Sequence, residues 1–228
     1  MKAKLISYSK PTRDMYSEGL NDAQDLIAFC ARVSNPSNQL NLETAEKLIG
    51  YLAKHKHWSP FEMVSACIEV ETTRDIARQL LRHRSFSFQE FSQRYADPTK
   101  DLEFVYREAR LQDQKNRQNS IELDNSDDSF KLHVGWTAHQ EKVKQASLEA
   151  YTWAIENGIA KEQARAVLPE GLMSSVLYVN GTIRSWIHYI ELRSGNGTQK
   201  EHIELARACA EAISDAFPMI EKYVQSDS

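Results

Sequence analysis

Residues 74–95, RDIARQLLRHRSFSFQEFSQRY, constrain the fold most, because five arginines (74, 78, 82, 84 and 94) have only Asp75 and Glu90 to answer them. On a helix Arg74, Arg78 and Arg82 fall at i, i+4 and i+8 and share a face. A solvated basic face is the bland explanation. Against it, Leu80 and Leu81 sit among the arginines, and Phe86, Phe88, Phe91 and Tyr95 follow. Arginines threaded through apolar residues are partly buried, and a buried guanidinium needs an anion, because an unpaired charge in low dielectric is costly. The nearby carboxylates are too few. A phosphate-bearing ligand, which the guanidinium fork matches bidentately, is the natural partner. If residues 86–95 run extended, Glu90, Ser92 and Arg94 line one face, a set suited to a nucleotide's ribose and phosphate.

Around this segment the periodicities predict mostly helix. Leu26, Ile27, Phe29, Cys30 and Val33 give a helix over residues 22–34, ended by the turn at 35–38. Asn41 is placed to cap a helix with the stripe Leu42, Ala45, Leu48, Ile49 and Leu52. Alternation of Val64, Ala66, Ile68 and Val70 with Ser65, Glu69 and Glu71 predicts a half-buried strand over 63–71. Thr73 then caps a helix reaching Leu81. Residues 107–131 are polar, mixed in charge and poor in periodicity, which predicts a surface insert rather than a domain boundary. A long helix over 131–157 stops at Asn157-Gly158, a short one over 161–168 stops at Pro169, and 176–180 reads as a brief strand. Gly181-Thr182 opens a helix to about Arg193, and Thr198 with Glu201 forms a capping box for the last, which runs to Phe217-Pro218. The expected class is therefore α+β, helix-dominated, in one domain of 228 residues.

Composition excludes several functions. A net charge of −4 speaks against a dedicated nucleic-acid binder, although Phe86, Phe88 and Phe91 beside the arginines raise that alternative. No apolar run approaches the ~20 residues of a spanning helix, and the first eight residues turn polar too soon for a signal peptide. Three widely spaced cysteines, Cys30, Cys67 and Cys209, fit structural packing in a reducing, cytoplasmic compartment. His55 and His57 lack further ligands at metal spacing, so no metal site is expected. Ser92 lacks a G-x-S-x-G setting, which weighs against a serine hydrolase. His133 and His139 read as surface, and Trp136, Tyr151 and Trp153 as core.

Arg82-His83-Arg84, seven residues and then Ser92 form an RHR-x7-S pattern, continued by Gln93-Arg94-Tyr95. Upstream stands His57-Trp58-Ser59-Pro60-Phe61-Glu62, and downstream come Ala164-Arg165-Ala166-Val167-Leu168-Pro169-Glu170 and Asn180-Gly181-Thr182-Ile183-Arg184-Ser185-Trp186-Ile187-His188-Tyr189 with Leu192-Arg193. In this order the four segments resemble the motifs of flavin-dependent thymidylate synthases. Met63 and Gly197 depart from that pattern, standing where family members often carry histidine.

The resemblance implies an α+β fold with a central sheet covered by helices. It implies conversion of dUMP to dTMP, with methylenetetrahydrofolate as carbon donor and NADPH as reductant through FAD. It further implies a homotetramer whose sites lie where subunits meet. Carried over by motif position, His57, Ser59, Arg82, His83, Arg84, Glu90, Thr182, Arg184 and His188 would contact the flavin. Gln79, Arg82, Glu90, Ser92, Gln93, Arg94, Arg165 and Arg193 would hold dUMP, with Arg193 acting catalytically on the pyrimidine.

Overall fold

Alternation in two segments builds the centre of the molecule. In the computed structural model, which describes residues 1–226, Ala66, Ile68 and Val70 point inward from one strand, and Leu177 and Val179 from its neighbour. The chain runs β1 (Lys2–Tyr8), α1 (Arg13–Ser17), α2 (Ala23–Ala31), α3 (Ala45–Lys54), β2 (Ser65–Thr73), α4 (Arg74–Leu80) and β3 (Ser87–Glu90). It continues through α5 (Pro98–Asp101), β4 (Arg110–Gln112), β5 (Ser120–Glu122), α6 (Asp127–Glu156), α7 (Lys161–Ala164), β6 (Ser174–Thr182), α8 (Ile183–Arg193) and α9 (Lys200–Ser214). Four strands form an antiparallel sheet in the order β1-β2-β6-β3, and β4 pairs with β5 in a separate hairpin.

The inward face of the sheet packs on α8 and α9 through Trp186, Ile187, Ile190, Leu205, Cys209 and Ile213, all fully buried. Each such side chain contributes roughly 1.5–3 kcal/mol of transfer free energy. Lys4, Tyr178, Asn180 and Ser87, on the other face, are exposed. A smaller cluster of Tyr151, Ala154, Ala164, Leu168 and Met173 ties α6 and α7 to the strand end. Gly181 is needed where it stands, because a Cβ there would lie 2.3 Å from the Phe86 ring. That close approach seats Phe86 against Trp186, with ring centroids 4.6 Å apart. Phe86 is thus core, not a stacking platform, and Trp186 is core as well, its indole N–H donating to the Ala66 carbonyl at 3.1 Å. Among the described residues no helix is long and apolar enough to cross a membrane.

Several expectations need correction. β1 carries a readable alternation of Lys2 and Lys4 against Ala3 and Leu5, but its lysines masked it, and it forms by long-range pairing such as Lys2↔Glu71. The strand expected at 176–180 spans Ser174–Thr182, because β2 and β3 pair along it from both sides. Asn41 caps nothing, since α3 begins at Ala45. The Thr198/Glu201 capping box does not form, because the Glu201 carboxylate is drawn to Arg110 at 2.6 Å and Arg107 at 3.4 Å. Charge-assisted pairs outcompete a cap. Residues 107–131 hold the β4–β5 hairpin and the start of α6, whose first turn is capped by Ser126. Arg107 and Arg110 reach back from this segment to Glu201, with side chains 13% exposed.

Trp136 and Trp153 are surface residues, 43% and 60% exposed. The reason is that α6 carries two stripes. Gln140, Ser147, Tyr151 and Ala154 face its own chain, while Leu132, Trp136, His139, Val143, Ala146, Ala150 and Trp153 follow a 4-3 spacing on another face.

Candidate functional site

The loop after α4 runs along α8, with Ser85 and Phe86 against its first turn and His83 at its C-terminal end. There Arg193 Nε donates to His83 Nε2 at 3.0 Å. Arginine has no acceptor, so His83 Nε2 is unprotonated and the ring is neutral with its proton on Nδ1. Burial, reinforced by the Arg193 charge, pushes the His83 pKa down to about 4. Arg193 has no ion pair among the described residues. The result is a half-buried cation, aimed by a neutral imidazole and lacking a counter-ion.

His202 of α9 stands in the same cluster, its ring 6.4 Å from that of His83 and 5.7 Å from that of Tyr189. Its Nδ1 lies 3.1 Å from Gln79 Oε1, and Gln79 Nε2 donates to Gln199 Oε1 at 2.9 Å. Burial first, then Arg193 and His83, push the His202 pKa down to about 3. Arg82 and Arg84 flank His83, exposed and without an ion pair among the described residues.

Glu90 ends β3 on the inward face, opposite Leu177. Its carboxylate meets Arg74 at 3.4 Å, Arg78 at 3.7 Å and the Ser175 hydroxyl at 3.0 Å. Burial lowers the Arg74 pKa, and Glu90 opposes that shift. The expected extended run through Ser92 and Arg94 is not formed. β3 stops at Glu90, and Tyr95 and Ala96 N–H groups both donate to the Ser92 carbonyl in a turn. Glu90, Ser92 and Arg94 therefore do not share a strand face. Ser92 Oγ instead accepts from the Arg94 backbone N–H at 3.4 Å, and Arg94 pairs with Glu162 at 3.0 Å. Arg165 Nε donates to the Glu162 carbonyl, so Arg94 and Arg165 meet at one residue. Gln93 is buried with its Nε2 lacking a partner among the described residues.

The remaining candidates lie at the other end of α8. Thr182 is its N-cap, accepting from Ser185 N–H at 3.3 Å. Arg184 pairs with Glu62, and His188 packs edge-on against Trp58 with centroids 4.8 Å apart. His57 and Ser59, both exposed, flank Trp58. Nine residues of helix separate Arg184 from Arg193, about 13 Å along the axis. Within one chain the structure joins Gln79, His83 and Arg193, joins Arg94 and Arg165, and leaves His57, Ser59, Arg184 and His188 apart from them. Sequence reasoning missed His202, Gln199 and Ser175, and it foresaw the burial of Arg74 but not its partner Glu90. None of the three missed residues sits in a motif, and only the fold brings them in.

The depressed histidines give a pH prediction. His83, His202 and His188 all have folded pKa values below the ordinary 6.5. The unfolded chain then binds more protons below that value, so stability is full above about pH 6.5 and falls as pH drops toward 4. Between pH 7 and 5 few carboxylates titrate, which isolates the histidines. The urea midpoint should fall over that interval, and His202→Asn should flatten the slope. A midpoint independent of pH there would contradict these environments.

Comparison with known proteins agrees over nearly the whole chain. Residues 16–219 match the family described as thymidylate synthase complementing protein. A probable flavin-dependent thymidylate synthase of Paramecium bursaria Chlorella virus 1 is 52% identical over 222 residues, covering 97% of this chain and 98% of the relative. The flavin-dependent thymidylate synthase of Synechocystis is 46% identical over 220 residues, covering 96% and 97%. Among solved structures, the UMP/dUMP methylase PolB of Streptomyces cacaoi bound with 5-Br dUMP superposes with a TM-score of 0.74 at 25% identity, covering 97% of this chain and 93% of that one.

Proposed function

The chain belongs to the thymidylate synthase complementing protein family and is an enzyme of the flavin-dependent thymidylate synthase kind, and from that premise we propose that it methylates dUMP to dTMP. Methylenetetrahydrofolate is the carbon donor and NADPH the reductant, acting through FAD. The observation that carries this reading is Arg193, a half-buried cation held by neutral His83 with no carboxylate paired to it among the described residues.

Uracil C5 is a weak nucleophile, and electron density reaches it when negative charge is stabilised along the N3/O4 edge. Arg193 supplies that stabilisation. His83 takes only its Nε–H, leaving the Nη atoms for the pyrimidine, and a preorganised donor costs no reorganisation at the moment of reaction. Arg94, Arg165 and Ser92 hold the nucleotide, with Gln79, Gln93 and Arg82, and Glu90 beside them on its buried anchors. The family's pyrophosphate-bearing flavin fits the donors present. Arg82 and Arg84 are exposed cations without an ion pair among the described residues, and His57, Ser59, Glu90, Thr182, Arg184 and His188 complete the set. When bound, FAD supplies the hydride that turns the transferred carbon into a methyl group. Protein purified without added cofactor should carry visible flavin absorbance. A colourless protein that takes up no FAD would contradict the reading.

The active form is a homotetramer with shared sites. Two observations support this: candidates in different motifs lie at opposite ends of α8, and α6 leaves Trp136, Val143 and Trp153 exposed on one stripe. A second apolar stripe turned away from a helix's own chain pairs with another helix. Placing Trp136→Glu and Val143→Glu together should reduce the mass by light scattering from four chains and lower retained flavin several-fold, with the helical circular dichroism kept. An unchanged tetramer would clear α6 of that role. Three free cysteines agree with a cytoplasmic setting.

A further inference from the structure

The hydrogen-bond chain from Glu201 to His202 runs in one direction only. Glu201 is paired with Arg110 at 2.6 Å and Arg107 at 3.4 Å, so its carboxylate only accepts. Gln199 must therefore turn Nε2 toward Glu201 Oε2, 2.9 Å away, which presents its Oε1 to Gln79. Gln79 must answer with Nε2, at 2.9 Å, and its own Oε1 then faces His202 Nδ1 at 3.1 Å. His202 has to carry its proton on Nδ1. Both amides are thus fixed against the flip that an isolated glutamine side chain permits. The anchors are themselves immobile, since His202 and Glu201 are buried and Arg107 is tied further to Asp75 at 2.6 Å.

We propose that His202 and Gln199 are positioning residues that lock the Gln79 amide in one orientation, so that the nucleotide pocket beside His83 and Arg193 meets its remaining N–H and lone pair in fixed places. This rests on the reading of Gln79 as a dUMP contact. Without the lock, Gln79 samples both amide orientations and other rotamers, and the nucleotide must select the productive one. The chain of contacts ends in charged, buried Glu201, which gives it a defined polarity that a neutral network lacks. Neither His202 nor Gln199 touches the nucleotide in this account. Both act through Gln79.

The test is dUMP binding by the flavin-loaded protein, read from perturbation of the flavin spectrum, with steady-state kinetics alongside. His202→Phe keeps a flat ring but loses the donor, and should weaken dUMP binding about tenfold and raise KM in step, with kcat changed less than about threefold. His202→Asn, whose amide N–H replaces Nδ1–H, should bind dUMP within about threefold of the parent. Gln199→Ala should weaken dUMP binding about fivefold, and answers the same question if His202→Phe fails to fold. Because the residues act through one group, Gln79→Ala with His202→Phe should bind dUMP no more weakly than Gln79→Ala alone. Additive losses in that double variant would overturn the proposal, as would parental dUMP binding in His202→Phe. Parental binding in Gln79→Ala would remove the reading of Gln79 and the proposal together. Weakened binding in Gln79→Ala but not in His202→Phe or Gln199→Ala would remove the proposal alone.

Discussion

Arg193→Ala should lower kcat on the order of a hundredfold while flavin content stays near that of the parent. The guanidinium is half-buried and unquenched, and losing such a charge-assisted contact costs about 3 kcal/mol, or roughly two decades in rate. The loss should fall on kcat rather than KM, because the contact strengthens as charge develops on the pyrimidine and is weaker with the ground state. Arg193→Lys keeps the charge but not the Nε–H that bonds His83 at 3.0 Å, so it should recover only part of the rate. An Arg193→Ala enzyme within about threefold of the parental kcat would remove Arg193 from its assigned role.

Glu90→Ala should be the most damaging single change to stability among the candidate residues. It leaves Arg74, whose side chain is 8% exposed, without the carboxylate 3.4 Å away. Stranding one member of a buried pair costs about 3 kcal/mol, and for a chain of this size that lowers Tm by roughly 6–12 °C. The Ser175 hydroxyl loses its acceptor at the same time. Replacing both partners, Arg74→Met with Glu90→Leu, should recover much of the loss, because the penalty lies in the unpaired charge. A Tm for Glu90→Ala within about 1 °C of the parent would show that water or another carboxylate already satisfies Arg74.

The same pair shows how far the sequence could be read. Arginines among apolar residues signalled buried cations in want of anions, and Arg74 is such a cation. Its anion is Glu90, carried to it by the β3 strand end, and no ligand is needed there. Arg78, Arg82, Arg84 and Arg94 are exposed, so burial makes no case for a ligand at them. Arg193, half-buried and without an ion pair among the described residues, lies outside the segment and was reached only through the family resemblance. Strands with clear alternation and helices with clear stripes were legible locally, as β2 and α2 were. What was not legible depended on distant partners. β1 needed β2, the reach of β6 to Ser174 needed its two flanking strands, and Glu201 left its capping role for arginines more than ninety residues away. Ser92 and Arg94 failed for a local reason, since the turn closed by Tyr95 and Ala96 N–H cut the strand short. The exposed tryptophans of α6 illustrate the converse error. Helical periodicity shows which residues share a face, but not whether that face meets its own chain.

The central claim is that this chain activates C5 of dUMP for methylation, and tritium release from [5-³H]dUMP tests it most directly. With NADPH and methylenetetrahydrofolate present, the flavin-loaded protein should release tritium to water in proportion to dTMP formed, and Arg193→Ala should release it on the order of a hundredfold more slowly. Omitting methylenetetrahydrofolate should abolish dTMP formation. Flavin-loaded protein that oxidises NADPH yet neither releases tritium nor forms dTMP would contradict the account.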